Sequence, residues 1–336
     1  MNKKLKVAQI GFGAIGRVHA AQYADQPDCQ LVAIVDICPS QFRGIASVLG
    51  KELARRVKRY ATFEEMMERE RPDMVDICLP TDLHEKMAIQ AMRAGCHVLC
   101  EKPMARSLEE ADRMMAVAKE TGRKLMIAQC LRFDPVYEGF RKAHLSGKYG
   151  RLLRLSAARL SHFPHRKPEN WYVEARRSGG AILDLHLHDT DFLLSLLGTP
   201  KAVSTTGIVP EPSLGVMESL TQYDFGEDGP LVAAEGSWMR DKWSCWLAGV
   251  YEKATLFLQG ANLTIASYEE GRKPVVKDLL TGRHNGYWEE IAYLAKCILQ
   301  NREPERCLPA STREALRIDL AETDSALHQG RKISLR

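Results

Sequence analysis

Short apolar runs alternate with amphipathic stretches through the first part of the chain. Apolar runs of this length indicate strands buried in a parallel sheet, and the spacing near 3.6 residues between them indicates covering helices. The predicted strands are Val7 to Ile10, Leu31 to Val35, Met74 to Leu79, His97 to Cys100 and Leu125 to Ala128. The predicted helices are Ala14 to Ala24, Pro39 to Leu49, Phe63 to Glu70, His84 to Ala94 and Leu108 to Lys119. This order predicts an α/β domain.

The pattern changes after Phe140, where apolar and polar residues alternate and turn residues separate the segments. Such alternation predicts a largely antiparallel sheet. Its predicted strands are Leu152 to Leu160, Ala202 to Ile208, Met217 to Phe225, Leu231 to Trp238 and Ala254 to Leu258. Helical spacing covers Ala181 to Leu197, Tyr287 to Leu299 and about Thr312 to His328. We therefore predict two domains: residues 1–130 with a parallel sheet, and residues 131–336 as an α+β domain with an open sheet.

Composition and charge narrow the class of protein. The chain has 336 residues, with 47 basic and 43 acidic side chains and a net charge of +4. The basic run Lys51 to Arg59 is followed at once by the acidic run Glu64 to Glu70, a pattern typical of solvated helix faces. No apolar stretch approaches the roughly 20 residues that a membrane helix needs. We therefore expect neither a nucleic-acid nor a membrane partner.

Nine cysteines occur without a Cys-x-x-Cys pair, and the first residues lack the pattern of a signal peptide. Reduced thiols in the cytoplasm are the expectation that follows.

A glycine-rich turn follows the first predicted strand. Gly11, Phe12, Gly13, Ala14, Ile15 and Gly16 have the G-x-G-x-x-G spacing at a strand-to-helix junction. The first glycine permits a tight turn, the second lets a pyrophosphate approach, and the third lets helix and strand pack closely. Asp36 follows Gly16 by twenty residues, at the end of the second strand, where a carboxylate can bind the adenine ribose. A glycine-rich turn in another α/β protein is the alternative.

This arrangement favours NAD over NADP as the cofactor. Asp36 repels a 2′-phosphate, and Ile37 and Cys38 offer no cation to receive one. Arg43 is the nearest basic residue downstream, and it leaves NADP open.

Glu101, Lys102 and Pro103 follow the fifth predicted strand. In open α/β sheets ligands bind outside the carboxyl ends of the strands, so a lysine there projects into the crevice. A solvated Glu-Lys pair in a turn is the alternative.

A polar stripe crosses the apolar segment that begins at Gly179. On a regular helix Asp184, His188 and Asp191 fall within about 60° of one face. Burying such groups is costly unless they are paired or used, so we expect a functional site. A structural His-Asp pair remains an alternative. So does a metal site using His186 and His188 with the acids, which an extended strand would favour and a helix disfavours.

Taken together, these motifs resemble the Gfo/Idh/MocA family of dehydrogenases, named for glucose-fructose oxidoreductase and inositol dehydrogenase. The resemblance covers nearly the whole chain. Beyond the glycine turn it rests on His19, Pro80 to His84, Glu101 to Pro103, Arg132 to Pro135, Trp171, Ser178 to Gly180, and the spacing of Asp184 and His188. Two departures concern the pocket shape: His186 replaces a residue that is often small, and two glycines precede Ala181 where the family often has three.

The resemblance implies site residues and a reaction. It makes Lys102, Asp184 and His188 the catalytic set, with His188 as general base and Lys102 as donor to the reacting oxygen. Asp184 would orient both or bind a neighbouring hydroxyl. The resemblance further implies that the cofactor contacts Pro80, Thr81, Leu83, His84, Glu101 and Lys102. For the substrate it implies Arg132, Trp171 and Asp191, and no metal is expected.

The expected activity is therefore NAD-dependent oxidation of a secondary hydroxyl of a cyclic polyol or sugar. Phe163, Trp171 and Tyr172 suit stacking on a sugar ring. Hydroxyl contacts are expected from His162, His165, Arg166, Lys167 and Asn170, for which a solvated loop is the alternative. Two other functions stay open: NAD-assisted glycoside cleavage through a 3-keto sugar, and a non-catalytic regulator that senses NAD or a sugar. The open sheet predicts a homodimer or homotetramer.

Overall fold

The computed structural model describes residues 4–164, 170–268, 275–279 and 284–336. The chain divides into two compact units, Met1–Phe133 with His284–Arg313, and Asp134–Arg283 with Glu314–Arg336. The sequence pattern predicts one domain from residue 131 onward, whereas His284–Arg313 packs with the first unit. The reason is burial: Ile291, Leu294 and Ala295 lie in the same apolar core as the first sheet.

Strands and helices alternate in the first part of the chain, and strands dominate the second. The strands are β1 (Leu5–Ile10), β2 (Cys29–Val35), β3 (Lys58–Tyr60), β4 (Met74–Ile77), β5 (His97–Glu101), β6 (Leu125–Ala128), β7 (Leu152–His162), β8 (Ala202–Ile208), β9 (Glu218–Asp224), β10 (Leu231–Ser237), β11 (Met239–Tyr251), β12 (Ala254–Gln259), β13 (Asn262–Ser267), β14 (Val275–Leu279) and β15 (Ile333–Ser334). The α-helices are α1 (Ala14–Gln22), α2 (Ile45–Arg56), α3 (Phe63–Glu70), α4 (His84–Arg93), α5 (Leu108–Thr121), α6 (Pro135–Leu145), α7 (Ala175–Ser178), α8 (Leu187–Leu197), α9 (Gly286–Leu299) and α10 (Pro309–Leu327).

The first unit contains a six-stranded sheet in the order β3-β2-β1-β4-β5-β6, with every neighbouring pair parallel. The predicted α/β fold with a parallel sheet is thereby confirmed. The predicted strand positions are found, but β3 at the sheet edge has no signal in the apolar pattern. Lys58 and Arg59 of β3 are exposed, so this strand lacks the apolar run that marks a buried one.

The two ends of α5 lie where its capping residues predict them. Ser107 accepts a hydrogen bond from the Glu110 backbone at the start of α5, and Gly122 ends that helix in the left-handed conformation. The predicted helix from Pro39 to Leu49 is instead a short 3-10 helix, Pro39–Phe42, followed by α2. The extended Arg43 and the left-handed Gly44 separate the two.

The second unit contains a nine-stranded sheet in the order β14-β13-β12-β11-β7-β10-β9-β8-β15. The β7–β10 pair is parallel and the other described pairs are antiparallel, which confirms a largely antiparallel sheet. The pattern misses β11, which lies near the sheet centre, because its first residues, including Arg240 and Lys242, are charged and exposed.

All nine cysteines lie in described residues, and each is a free thiol. In the part of the chain that the structure describes, no helix has both the length and the apolarity to span a bilayer.

Candidate active site

The glycine turn leaves no room for side chains at its first and last positions. Gly11 has a φ of +94°, a left-handed conformation that favours glycine, and a Cβ there would overlap the Cys78 carbonyl. A Cβ on Gly16 would overlap the Gly11 carbonyl. Gly13, by contrast, has open space where its Cβ would be. The turn therefore packs tightly on the protein side and leaves its backbone open at Gly13, as a pyrophosphate requires.

A buried amide that the sequence motifs do not include holds this turn together. Gln9 is fully buried in β1, and its Nε2 donates to the carbonyl oxygens of Gly11 and Gly16 at 2.7 and 2.8 Å. The side chain thus ties both ends of the turn to the strand. The signal that could have revealed it is a polar residue shortly before the glycine turn in β1, where the only other polar residue, Lys6, is exposed.

Asp36 connects the end of β2 to the same turn. Its Oδ2 accepts a hydrogen bond from the backbone N–H of Phe12, and its Oδ1 accepts one from Cys38, both at 2.8 Å. Each carboxylate oxygen keeps a second lone pair for a ligand hydroxyl. Ile37 beside it is 89% exposed.

A cation that the sequence argument does not consider lies near this position. The Arg17 guanidinium lies 4.6 Å from the Phe12 ring centroid and donates to the Gln41 and Arg43 carbonyls. Arg17 belongs to α1, immediately after the glycine turn. Arg17 is thus a further cation, in contact with Phe12, whose backbone N–H donates to Asp36.

The segment after β4 forms a 3-10 helix, Thr81–Leu83, with Pro80 before it and His84 opening α4. Thr81 and His84 are buried, whereas Leu83 is 38% exposed. The His84 ring lies between two backbone carbonyls, with Nδ1 2.8 Å from the Pro103 oxygen and Nε2 2.9 Å from the Leu79 oxygen. Burial lowers the pKa of His84, although the hydrogen bonds with the two carbonyls oppose this shift. The ring lies between the loops after β4 and β5.

Lys102 follows directly after β5 and is half-buried. Its backbone N–H donates to the Glu101 carboxylate at 2.9 Å, and the peptide bond to Pro103 is cis. Because the strands of this sheet are parallel, the glycine turn, Asp36, the Pro80 segment and Lys102 all lie at its carboxyl edge.

Asp184 and His188 belong to the second unit and are half-buried. The sequence predicts one regular helix from Ala181 to Leu197, but Ile182–His186 forms a π-helix that continues into α8. A π-turn is wider than an α-turn, so the predicted 60° arc for Asp184, His188 and Asp191 does not apply across this segment. Asp191 lies within α8 and is buried.

Two protein-family models match this chain. A model of an oxidoreductase family with an NAD-binding Rossmann fold matches residues 5–129, and the model of the Gfo/Idh/MocA C-terminal domain matches residues 137–262. The chain belongs to the Gfo/Idh/MocA oxidoreductase family. The expected NAD-binding Rossmann domain is thereby confirmed.

Individual relatives of this Gfo/Idh/MocA chain cover part of it. It is 33% identical over 201 residues to inositol 2-dehydrogenase of Rhizobium meliloti (strain 1021), which is 60% of this chain and 57% of the relative. It is 30% identical over 230 residues to D-glucoside 3-dehydrogenase of Escherichia coli (strain K12), 67% of this chain and 62% of the relative. The chain thus spans less than two thirds of the length of these curated relatives.

A solved structure supports the fold. Levoglucosan dehydrogenase in complex with NADH and levoglucosan matches with a TM-score of 0.87 at 21% identity, covering 99% of this chain and 100% of the other. At this identity the match establishes the fold alone.

His186, one of this chain's departures from the family pattern, is not paired with His188. Its Nε2 lies 3.2 Å from the Tyr223 hydroxyl and 3.2 Å from Oε2 of Glu322 on α10, and all three side chains are buried. Among the described residues, the ligand atoms of His186, His188 and the nearby acids do not converge on one point. The arrangement therefore gives no support to the alternative of a metal site in this segment.

The aromatic residues expected to face a sugar pack against one another. Phe163 and Tyr172 pack edge-on against Trp238, with ring centroids 5.5 and 5.8 Å apart, and Trp171 stacks on Tyr172 at 4.0 Å. Phe163 is buried in this cluster, so it belongs to the core of the second unit. Trp171 remains half-exposed.

The remaining predicted contact residues are spread over both units. Asn170 caps the 3-10 helix at Trp171–Val173, and His162 is exposed at the end of β7. His165, Arg166 and Lys167 lie outside the described residues. Arg132, in the first unit, donates to the Ser311 hydroxyl at 2.9 Å.

Proposed function

We propose that this protein is an NAD-dependent dehydrogenase that oxidises a secondary hydroxyl of a cyclic polyol or sugar. The observation that carries the proposal is the composition of one sheet edge in the first unit. There the open glycine turn, Asp36 and Lys102 follow β1, β2 and β5 of one parallel sheet. The relatives named inositol 2-dehydrogenase and D-glucoside 3-dehydrogenase support a ring hydroxyl as the reacting group.

The residues present fit a dinucleotide. The backbone from Gly11 to Gly16 would hold the pyrophosphate, because a Cβ at either of these two glycines would disrupt the turn while Gly13 is open. Asp36 would accept hydrogen bonds from the adenine ribose. When bound, NAD supplies the hydride acceptor for the reaction.

The protein's own groups would manage the proton and the developing charge. His188 accepts the proton of the substrate hydroxyl as general base. Lys102 donates a hydrogen bond to the same oxygen and stabilises its alkoxide character. Asp184 orients these groups or binds a neighbouring hydroxyl of the ring.

The test is a panel of substrates offered to the full chain with NAD. Inositol isomers, free aldoses and methyl glycosides are incubated with the protein while the absorbance of the reduced cofactor is followed. Reduced cofactor should accumulate with at least one ring polyol or sugar and not with linear secondary alcohols. If NAD binds but no panel member yields reduced cofactor, the proposal is wrong. Net glycoside cleavage without accumulated reduced cofactor would also contradict it, because oxidation would then be an internal step of another reaction.

A further inference from the structure

His19 of α1 is fully buried between two carboxyl groups of the first unit. Its Nδ1 lies 3.2 and 3.1 Å from the two oxygens of Asp76, and its Nε2 lies 2.9 Å from Oε1 of Glu101. Ionised carboxylates only accept hydrogen bonds, so each ring nitrogen must donate. The geometry therefore describes an imidazolium that bridges β4 and β5.

The charge state agrees with this geometry. Burial by itself lowers the pKa of His19, but Cys78 and Asp76 against the ring raise it well above its ordinary value. Hydrogen bonds with charged partners on both sides are stronger than those of a neutral ring. The His19 ring is thus a rigid, positively charged link between the two carboxylates.

Other groups around the ring leave this charge balance intact. Glu290 of α9 is fully buried with its Oε1 3.9 Å from Nε2, and neither of its carboxyl oxygens has a hydrogen-bond partner. Burial raises the pKa of Glu290 well above its ordinary value, so the group stays neutral. Burial also raises the pKa of the Cys78 thiol, which lies beside Asp76. On the remaining sides the ring meets Tyr287 of α9, at 5.5 Å between centroids, while Tyr23 of α1 donates to Asp76.

A metal ion is the rival occupant of this cluster. Ligand atoms of His19, Asp76 and Cys78 lie within 4.8 Å of one another. Binding a metal requires a free lone pair on a ring nitrogen, and both nitrogens of His19 donate to carboxylates instead. The hydrogen-bonded cluster is therefore complete without an ion.

Glu101 connects His19 to Lys102 through two hydrogen bonds. Its Oε1 accepts from His19, and its Oε2 accepts the backbone N–H of Lys102 at 2.9 Å. A carboxylate held at one oxygen cannot rotate away from a donor at the other. The orientation of the Lys102 backbone is thus connected, through two hydrogen bonds, to a ring in α1.

We propose that His19 is a positioning residue that, by holding Glu101, fixes the backbone of Lys102 and with it the direction of the lysine side chain. This inference rests on the proposed role of Lys102 for its catalytic consequence. The positioning itself is measurable without any substrate.

The test compares His19→Asn with Tyr23→Phe in the full chain. Asparagine cannot donate to both carboxylates, whereas Tyr23→Phe removes a different hydrogen bond to Asp76, at 2.8 Å, and leaves Glu101 untouched. Amide hydrogen exchange at Lys102, measured by NMR, is the direct readout. After correction for global stability, exchange should quicken about tenfold or more in His19→Asn, as expected for loss of a charge-assisted bond. It should change by less than about twofold in Tyr23→Phe.

Kinetics give a second readout that a purely structural role would not produce. With a substrate from the panel, His19→Asn should lower kcat by about tenfold or more, with the KM for NAD nearly unchanged. Tyr23→Phe should keep the kcat of the unmodified chain. Equal Lys102 exchange or equal kcat in the two variants would contradict the positioning role.

Three further outcomes bear on the inference. If His19→Asn does not fold, Glu101→Gln replaces it. A neutral amide keeps the shape of the side chain and weakens its hydrogen bonds with His19 and with the Lys102 backbone. Unchanged amide exchange at Lys102 in Glu101→Gln would overturn the inference. If the exchange result is positive and no panel member is turned over, the positioning role stands and the proposed function fails. A metal ion retained by the purified protein and lost in His19→Asn would overturn the imidazolium assignment.

Discussion

His186, which lies between Asp184 and His188 in the chain, forms a buried ion pair with Glu322. Nε2 of His186 lies 3.2 Å from Oε2 of Glu322, and neither side chain has measurable exposure. Gly236 of β10 makes room for the ring, since a Cβ there would lie 2.7 Å from the Cβ of His186. A large residue at position 186 is thus matched by a glycine on the facing strand.

This pair predicts a pH-dependent stability. Burial lowers the pKa of His186, but Glu322 raises this pKa by more than burial lowers it. The net shift is therefore upward. The other ionisable or charged groups around the pair are Asp189, Arg159, Tyr223 and Asp319. A raised histidine pKa stabilises the fold fully below the ordinary value of about 6.5, and this stabilisation is lost as pH rises through the folded-state pKa.

Glu322→Gln should therefore destabilise the protein most near pH 6 and progressively less at higher pH. Breaking a buried pair costs about 3 kcal/mol or more. The control is Glu314→Gln on the same helix, whose carboxylate pairs with Arg317 at a half-exposed site and should cost less than about 1 kcal/mol. Urea unfolding across this pH range measures both. A Glu322→Gln effect that grows with pH would show the assignment to be wrong.

Asp36 predicts tighter binding of NAD than of NADP. Its carboxylate would meet the 2′-phosphate directly, and a difference of about tenfold or more in dissociation constant is expected. Asp36→Ala should narrow the gap, and the Arg17 guanidinium near Phe12 should then favour NADP. Adding Arg17→Gln to Asp36→Ala should remove that gain. Calorimetric titration with both oxidised cofactors measures this, and tighter NADP binding by the unmodified chain would contradict the prediction.

Lys102→Met and His188→Asn should separate catalysis from structure. Each should lower turnover by roughly 10² or more, the scale of oxyanion donors and general bases, while folding and NAD affinity stay near normal. Turnover in the oxidation direction should rise with pH as the base loses its proton, and this limb should flatten in His188→Asn. His328→Asn, an exposed histidine, is the control. Near-native turnover in either test variant would remove that residue from the catalytic set.

The outer face of the nine-stranded sheet predicts a homo-oligomer. Trp246 stacks on Phe257 across β11 and β12, and Leu220 and Val250 are exposed on the same face. An apolar sheet face of this kind is normally covered by another subunit. Phe257→Glu should lower the molar mass measured by light scattering, whereas Leu145→Glu, at an exposed position on α6, should not. A monomeric unmodified chain at micromolar concentration would contradict the prediction.

The sequence by itself determined the elements whose residues carry their own signal. The apolar runs of β1, β2 and β6 and the cap and glycine of α5 lie where they were predicted, because burial and capping act within a few residues of the chain. The glycine turn and Asp36 were also readable, because their spacing reflects local geometry. Together with the alternating pattern after Phe140, these features were sufficient for the fold class. The resemblance to the family also needed the further motifs, among them Glu101 to Pro103 and the spacing of Asp184 and His188.

Other features depend on residues far apart in the chain, and only the tertiary structure decided them. Three such features are the packing of His284–Arg313 with the first unit, the edge strand β3 and the π-helix at Ile182–His186. They arise from contacts that the local hydrophobic pattern does not reveal. The local sequence pattern likewise does not predict the partners of His19 and His186. Asp76, Glu101 and Glu322 are 57, 82 and 136 residues away from them, and a buried charge is stabilised by whichever group the fold brings within hydrogen-bonding distance.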